Sequence, residues 1–370
     1  MTFNLYLNLS LTPPSHSTSM LWIKKLGYYK LTEVKQKSDD WIIIIDESIG
    51  IGQEQVLLIL GIQQKNIDFT RPLQIQDMAP LLVKSKERWC AEDIELELNK
   101  VKEELGTIIY AVADGGSCIK KALKLVNIDW KYDITHSIAI FLSKIYSNDQ
   151  DFKNFTHLAG QMRYKLCCSK QAHLIPPNQR SKSRFLNIDI LSNWAIKALR
   201  AYDRDETNTT EKEKLQWLND MRSFIIELEA MMSVVQEISI ILKNNGMSKI
   251  TIKQCKAILK KYKKGKLLEF KKMMLEYLNE YTKSITKKKE MQLCCSDVIE
   301  STFGRYKCEL SRNQMNGITD LVLLIPALTA NLTQKSVIEA IDKCTVQDIE
   351  EWKKNNLCNS LLSKRMAVLK

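Results

Sequence analysis

Three carboxylates stand where chemistry can use them. Asp46 closes the apolar run at residues 41–45 in IIIIDES, Asp114 follows a second run at 107–113 in AVADGG, and Glu300 lies early in SDVIESTFGRYK. Two strand-end carboxylates converge when their strands are neighbours, and a glutamate from a helix packed on that sheet completes a set of hard oxygen donors. Such donors suit Mg²⁺, which keeps several waters and takes few protein carboxylates, and Mn²⁺ accepts the same ligands. Two such ions about 4 Å apart clamp an in-line attack on a phosphodiester, one at the nucleophile and one at the leaving oxygen. Each residue alone also has a plainer reading. Asp114 before Gly115 and Gly116 is ordinary turn chemistry, as is Asp46 at a turn. Glu300 near a helix start complements the helix dipole. Their combination with the strand order favours the metal site.

The elements that must hold them follow from periodicity. Strands covered on both faces read as continuous apolar runs. Residues 41–45 and 56–60 are two such runs, with Gly50 and Gly52 between them as the turn of a hairpin. A weaker third strand is placed near 69–73. Ile94, Leu98, Val101 and Leu105 have helical spacing, which predicts a helix over 91–105. A strand at 107–113, a helix at 116–125, a short strand at 130–132 and a helix at 133–146 complete the order. From 150 to 290 no strand is read. Met221, Ile225, Leu228, Met232 and Val235 form one stripe of a long helix, and a lysine-rich helical stretch runs over 252–285. Ser296 caps a helix to Leu310 that buries Ile299, Phe303, Tyr306 and Leu310. Glu300, Gly304 and Lys307 share its adjacent face. The tail after Gly317 is mostly helical.

The resulting division is an N-terminal helical segment at 1–38, a first part of a catalytic core at 39–148, a basic all-α insertion at 149–290, and a second core part at 291–370. In the first segment Ser15 or Ser17 caps a helix that Gly27 ends. Too few residues precede it for a complete helix-turn-helix, so a truncated DNA-binding region and a plain helix are equal readings.

Composition narrows the partners. The 370 residues carry 55 Lys and Arg against 43 Asp and Glu, a formal charge of +12. A surplus of that size favours a polyanion, nucleic acid or anionic lipid. At 45% hydrophobic and 26% charged residues, wholesale disorder is excluded. No apolar run approaches the ~20 residues of a spanning helix, and residues 1–14 lack the features of a signal peptide. The ten cysteines include the adjacent pairs Cys167-Cys168 and Cys294-Cys295 but no CxxC spacing. Reduced thiols in a reducing compartment are expected. No P-loop, GxGxxG or GxSxG motif occurs. His136 follows Asp133 at a ligand-like spacing, but with four histidines in the chain a capped helix with a satisfied imidazole is the plainer reading.

The ordered set IIIIDES, AVADGG and SDVIESTFGRYK resembles the DDE-type transposases of bacterial insertion sequences, over about residues 40–330. The resemblance implies a ribonuclease H-like α/β fold: a mixed sheet with flanking helices, interrupted by a large all-α insertion. It implies Asp46, Asp114 and Glu300 as catalytic ligands of two Mg²⁺ or Mn²⁺ ions. DITH, Asp133 to His136, resembles an element that follows the second Asp in several transposase groups, making Asp133 and His136 candidates to support the site from behind. ESTFGRYK resembles the segment in which a DNA-contacting Lys follows the Glu, here Lys307, with Arg305 beside it. Lys307 is about 10 Å along the helix from Glu300. The basic segment PPNQRSKSRFLNI at 176–188 has the look of an insertion element in such proteins. Leu293 and Ser296 stand where some related groups carry Tyr and Arg.

The implied activity is DNA cleavage at an element's ends and strand transfer to a target, by a homo-oligomer on DNA in the bacterial cytoplasm, with no membrane partner. Lysines at 253, 256, 260, 261, 263, 264, 266, 271, 272 and 283 form a candidate phosphate track, with Lys260, Lys263 and Lys264 foremost; a solvated helix face is the alternative. Two other functions stay open: an inactive, transposase-derived DNA-binding protein, and a basic helical scaffold.

Overall fold

A computed structural model describes residues 14–51, 54–179, 181–204, 208–285, 290–309, 315, 317–329 and 331–369. The chain forms two compact units. One comprises residues 1–68, 73–131 and 296–370; the other comprises 69–72 and 132–295.

The first unit is built on a mixed sheet. Its strands are β1 (Ser38–Ile51), β2 (Glu54–Gln63), β3 (Ala79–Lys86), β4 (Gly106–Ala113) and β5 (Asp129–Tyr132), in the order β3-β2-β1-β4-β5. β1, β2 and β3 form an antiparallel meander, whereas β4 runs parallel to β1. A mixed sheet with flanking helices is the architecture expected from the sequence. The continuous isoleucine run of β1 is explained by its central place: Ile42, Ile43, Ile44 and Ile45 are all fully buried. Ile43 and Ile45 pack with Ile94, Leu98 and Leu105 of α2 (Ala91–Leu105) and with Ile119 and Leu123 of α3 (Ser117–Leu125). Ile42 and Ile44 belong to the opposite face by strand alternation.

The third strand departs from expectation. It lies at Ala79–Lys86, not at 69–73, and 69–72 belong to the other unit. β3 is an edge strand, where Pro80 and the lysines at 84 and 86 are tolerated because one side of the backbone needs no ladder partner. Those residues disguise it in the sequence.

The N-terminal helix α1 (His16–Thr32) is capped by Ser15, whose side chain accepts from the Thr18 amide. It does not end at Gly27. Gly27 is buried in mid-helix, and a Cβ there would collide with the Leu323 carbonyl. Glycine here serves close backbone approach rather than termination. The C-terminal part of this unit contributes α11 (Asp297–Glu309), which packs along β1, and the later helices at Leu324–Ala327, Gln334–Lys343, Val346–Asn356 and Leu361–Val368.

The second unit is helical and has its own core. Its helices are α4 (Ile134–Tyr146), α5 (Gln150–Leu166), α6 (Ile188–Tyr202), α7 (Thr209–Asp220), α8 (Arg222–Asn245), α9 (Lys249–Lys260) and α10 (Gly265–Ser284). α8 is the long striped helix, with Ile225, Leu228 and Met232 buried. The lysine-rich stretch is two helices rather than one. The chain breaks after Lys260 and resumes at Gly265, whose φ of +66° is a conformation suited to glycine. In the basic segment at 176–188, Phe185 stacks on Phe152 at 5.5 Å and ties the turn to the core, while Arg180 lies outside the described residues. Leu310 also lies outside them. No described helix is long and apolar enough to cross a membrane.

Candidate active site

Asp46 and Asp114 are positioned by the β1–β4 ladder. The parallel pairing runs Ile42 to Tyr110, Ile43 to Ala111 and Ile44 to Val112. Asp46 lies two residues past Ile44 and Asp114 two past Val112. The register thus carries Asp46, inside β1, and Asp114, one residue past the end of β4, to the same end of neighbouring strands. Here β4 stops at Ala113 while β1 continues to Ile51, paired with β2. The strand ending leaves room for a turn, and Asp114 shapes it: its carboxylate accepts the Gly116 amide at 2.8 Å. A Cβ on Gly116 would stand 3.0 Å from the Asp114 Oδ1, so glycine leaves this carboxylate its space. Both aspartates are half-buried.

Glu300 is in the first turn of α11. That helix packs on β1 and buries Val298, Ile299, Thr302, Phe303 and Tyr306, while Glu300, Gly304, Arg305 and Lys307 are exposed. The face read from the sequence is thus the face observed. The carboxylate oxygens of Asp46, Asp114 and Glu300 do not all lie within 4.8 Å of one another. Asp46 and Asp114 come from neighbouring strands of the sheet; Glu300 is on a helix packed on β1, with its side chain exposed.

Sequence reasoning passed over Glu47, the residue after Asp46. It is half-buried, and burial first, then the charge of Asp114, push its carboxyl above the usual range. Asp46 does not close its strand as the sequence suggested: β1 runs on to Ile51, with Asp46 and Glu47 paired to Leu58 and Leu57 of β2. Alternation puts the two acids on opposite faces, which hid Glu47. Glu54 is a second buried acid not singled out. It accepts the Ile318 amide at 2.9 Å, and burial raises its carboxyl as well. That contact ties β2 to the C-terminal segment, a structural role.

Asp133 and His136 belong to the helical unit. Asp133 is fully buried and caps α4: its Oδ1 accepts the His136 amide at 2.7 Å and lies 3.1 Å from His136 Nδ1. The Ile134 amide donates to the Cys294 carbonyl at 2.8 Å. Tyr277 and Tyr281 both donate to the Tyr132 carbonyl, at 2.8 and 3.0 Å. The capped-helix reading accounts for the geometry of this pair. The Asp133 carboxylate and the Cys295 thiol come within 4.8 Å, a pairing of metal-ligand types within this unit; Asp297, two residues along the chain from Cys295, belongs to the sheet unit.

Lys260, Lys263 and Lys264 are exposed around the break between α9 and α10. Among the described residues none of the three has a carboxylate within ion-pair distance. Lys266, by contrast, is bound to Asp149 at 2.9 Å and Glu227 at 3.4 Å, and Lys271 donates to the Tyr262 carbonyl. The cationic track is therefore narrower than the lysine count implies.

No protein-family model matches the chain, and no curated protein matches it. Among the solved structures that match is the Drosophila P element transposase strand transfer complex, with a TM-score of 0.40 and 14% identity over 91% of this chain and 86% of that one.

Proposed function

We propose that this chain is a DDE-type transposase that cuts DNA at the ends of an element and joins them to a target. What supports the reading is the parallel β1–β4 register, in which Asp46 and Asp114 each follow a paired position, Ile44 and Val112, by two residues, at the point where β4 ends. Carboxylates carried to one end of neighbouring strands are donors of the kind a hard divalent cation takes.

The donor set fits hard divalent ions. All the atoms offered are carboxylate oxygens, the two aspartates are partly shielded, and Glu300 stands on a helix packed against β1. A two-ion site spreads its ligands around ions about 4 Å apart, so the trio need not lie within contact of a single point. Asp46, Asp114 and Glu300 would hold Mg²⁺ or Mn²⁺, which when bound activates the attacking oxygen and stabilises the leaving one. The chain's own residues do the rest. The Gly116 amide fixes one oxygen of Asp114 and so orients the carboxylate. Arg305 and Lys307, exposed on α11, lie along the helix from Glu300 and suit a neighbouring phosphate. Lys260, Lys263 and Lys264 offer further phosphate contacts on the helical unit.

The test is a nicking assay with the purified full chain, supercoiled plasmid carrying candidate element ends, and Mg²⁺ or Mn²⁺. Ion-dependent cleavage that disappears in Asp46→Asn is expected. DNA binding without cleavage under any divalent ion would return the chain to a transposase-derived binding protein.

A further inference from the structure

The adjacent cysteines Cys167 and Cys168 have no part in the proposed DNA chemistry. α5 ends at Leu166, and Cys167 continues with helical dihedrals, φ −57° and ψ −27°. The two side chains leave this last turn together: their sulfurs are 3.9 Å apart, and both residues are exposed. Cys294, in the other adjacent pair, is instead buried, with its thiol 3.6 Å from the Leu242 carbonyl.

The spacing is poor for a disulfide and good for a bridging atom. A trans peptide holds neighbouring Cα atoms about 3.8 Å apart, short of the ~4.4 Å at which disulfides ordinarily begin. A tetrahedral d¹⁰ ion with metal–sulfur bonds of about 2.3 Å holds two of its sulfurs about 3.8 Å apart. The dithiol thus already stands at the bite of a chelate. Thiolates prefer thiophilic centres over the hard ions suited to Asp46 and Asp114.

We propose that Cys167 and Cys168 form a bidentate thiolate site for a thiophilic centre, a d¹⁰ cation such as Zn²⁺ or its covalent counterpart, trivalent arsenic. Two protein sulfurs leave the remaining coordination places to water or an outside thiol. Cation binding displaces the thiol protons and so strengthens as pH rises. With an arylarsine oxide, two S–H bonds break and two As–S bonds form. The arsenic stays trivalent, and its oxygen leaves as water carrying both protons.

The experiment uses the reduced full chain and phenylarsine oxide, followed by excess monothiol and intact-mass measurement. Adducts on single exposed thiols such as Cys90 and Cys308 exchange away, whereas a chelate stays until a dithiol is added. One retained arsenical per chain is expected in the wild type and in Cys90→Ser and Cys308→Ser. Retention should fall at least about a hundredfold in Cys167→Ser and in Cys168→Ser, since each removes the intramolecular second bond. Both positions are exposed, so serine leaves the core untouched. Zn²⁺ competition against a colorimetric chelator is the second arm. Weakening there by both variants supports a cation site, and loss in the arsenical arm alone restricts the pair to trivalent arsenic. No retention by the wild type, or retention that survives either substitution, overturns the proposal.

Discussion

Asp46 and Asp114 each lie two residues beyond a paired position, Ile44 and Val112, of the same parallel ladder, Asp46 still inside β1 and Asp114 just past the end of β4. Neither aspartate is near the other in sequence. One ladder therefore determines whether the two carboxylates can work together.

Replacing a proposed ligand should separate cleavage from binding. Asp46→Asn, Asp114→Asn and Glu300→Gln keep the shape of the side chain and lose the charge a hard cation requires. Even supporting residues around metal sites cost about 10–100-fold when removed, so each variant should lose cleavage by more than about a hundredfold. Gel-shift affinity for duplex DNA should stay within about threefold, since phosphate contacts come from Lys and Arg. A variant cleaving at near wild-type rate with Mg²⁺ would remove that residue from the ligand set.

Gly116→Ala tests the turn that orients Asp114. The new methyl would press on the Asp114 Oδ1 at 3.0 Å, while the φ of −54° at Gly116 suits alanine. The fold should survive and the carboxylate should shift by a few tenths of an ångström. Small misplacements at a reacting centre are costly, so cleavage should drop up to about tenfold with an unchanged melting temperature. Unchanged cleavage would show that this contact does not orient the site.

The elements carrying the site were legible in the sequence, and the reasons are local. A run of four isoleucines has no polar alternation, so only a strand covered on both faces suits it, and β1 is that strand. The helix of Glu300 was legible from the spacing of Ile299, Phe303 and Tyr306. Two features were not. β3 is disguised by Pro80 and its lysines, which only an edge position permits. Gly27 reads as a helix stop, because sequence shows the missing Cβ but not the Leu323 backbone that requires its absence.

Gly27→Ala should therefore destabilise, although helix propensity alone would favour alanine by about 1 kcal/mol. The methyl meets a backbone carbonyl rather than a flexible side chain. A net loss of about 1–3 kcal/mol is expected from overpacking, measured by urea unfolding. A stabilised variant would contradict the close approach of α1 to Leu323.

Acid stability should depend on Glu97. Burial pushes its carboxyl up, but Lys84 at 2.8 Å and Lys100 at 3.2 Å more than offset this, leaving it below the ordinary value. A depressed folded value means that the stabilisation is complete above the unfolded pKa, about 4.3, and is lost as pH falls through the folded one. Glu97→Gln should lower stability at neutral pH and flatten its decline below about pH 4. Parallel urea-midpoint curves for wild type and variant across that range would count against it.

The lysines at the α9–α10 break should set the salt dependence of DNA binding. Removing one phosphate-binding cation lowers the slope of log K against log salt by about 0.9 for duplex DNA. Gln at Lys260, Lys263 and Lys264 together should weaken binding to all sequences and flatten the slope by about one to three units. An unchanged slope would make this a solvated face.

The central claim, that Asp46, Asp114 and Glu300 hold divalent ions, is tested most directly by anomalous diffraction from crystals of the full chain soaked in Mn²⁺. Manganese peaks bounded by the carboxylates of Asp46 and Asp114, with Glu300 as a further ligand and with loss of the peaks in Asp114→Asn, are the expected result. A soaked crystal with manganese elsewhere, or with peaks at the aspartates that persist in Asp114→Asn, would contradict the account.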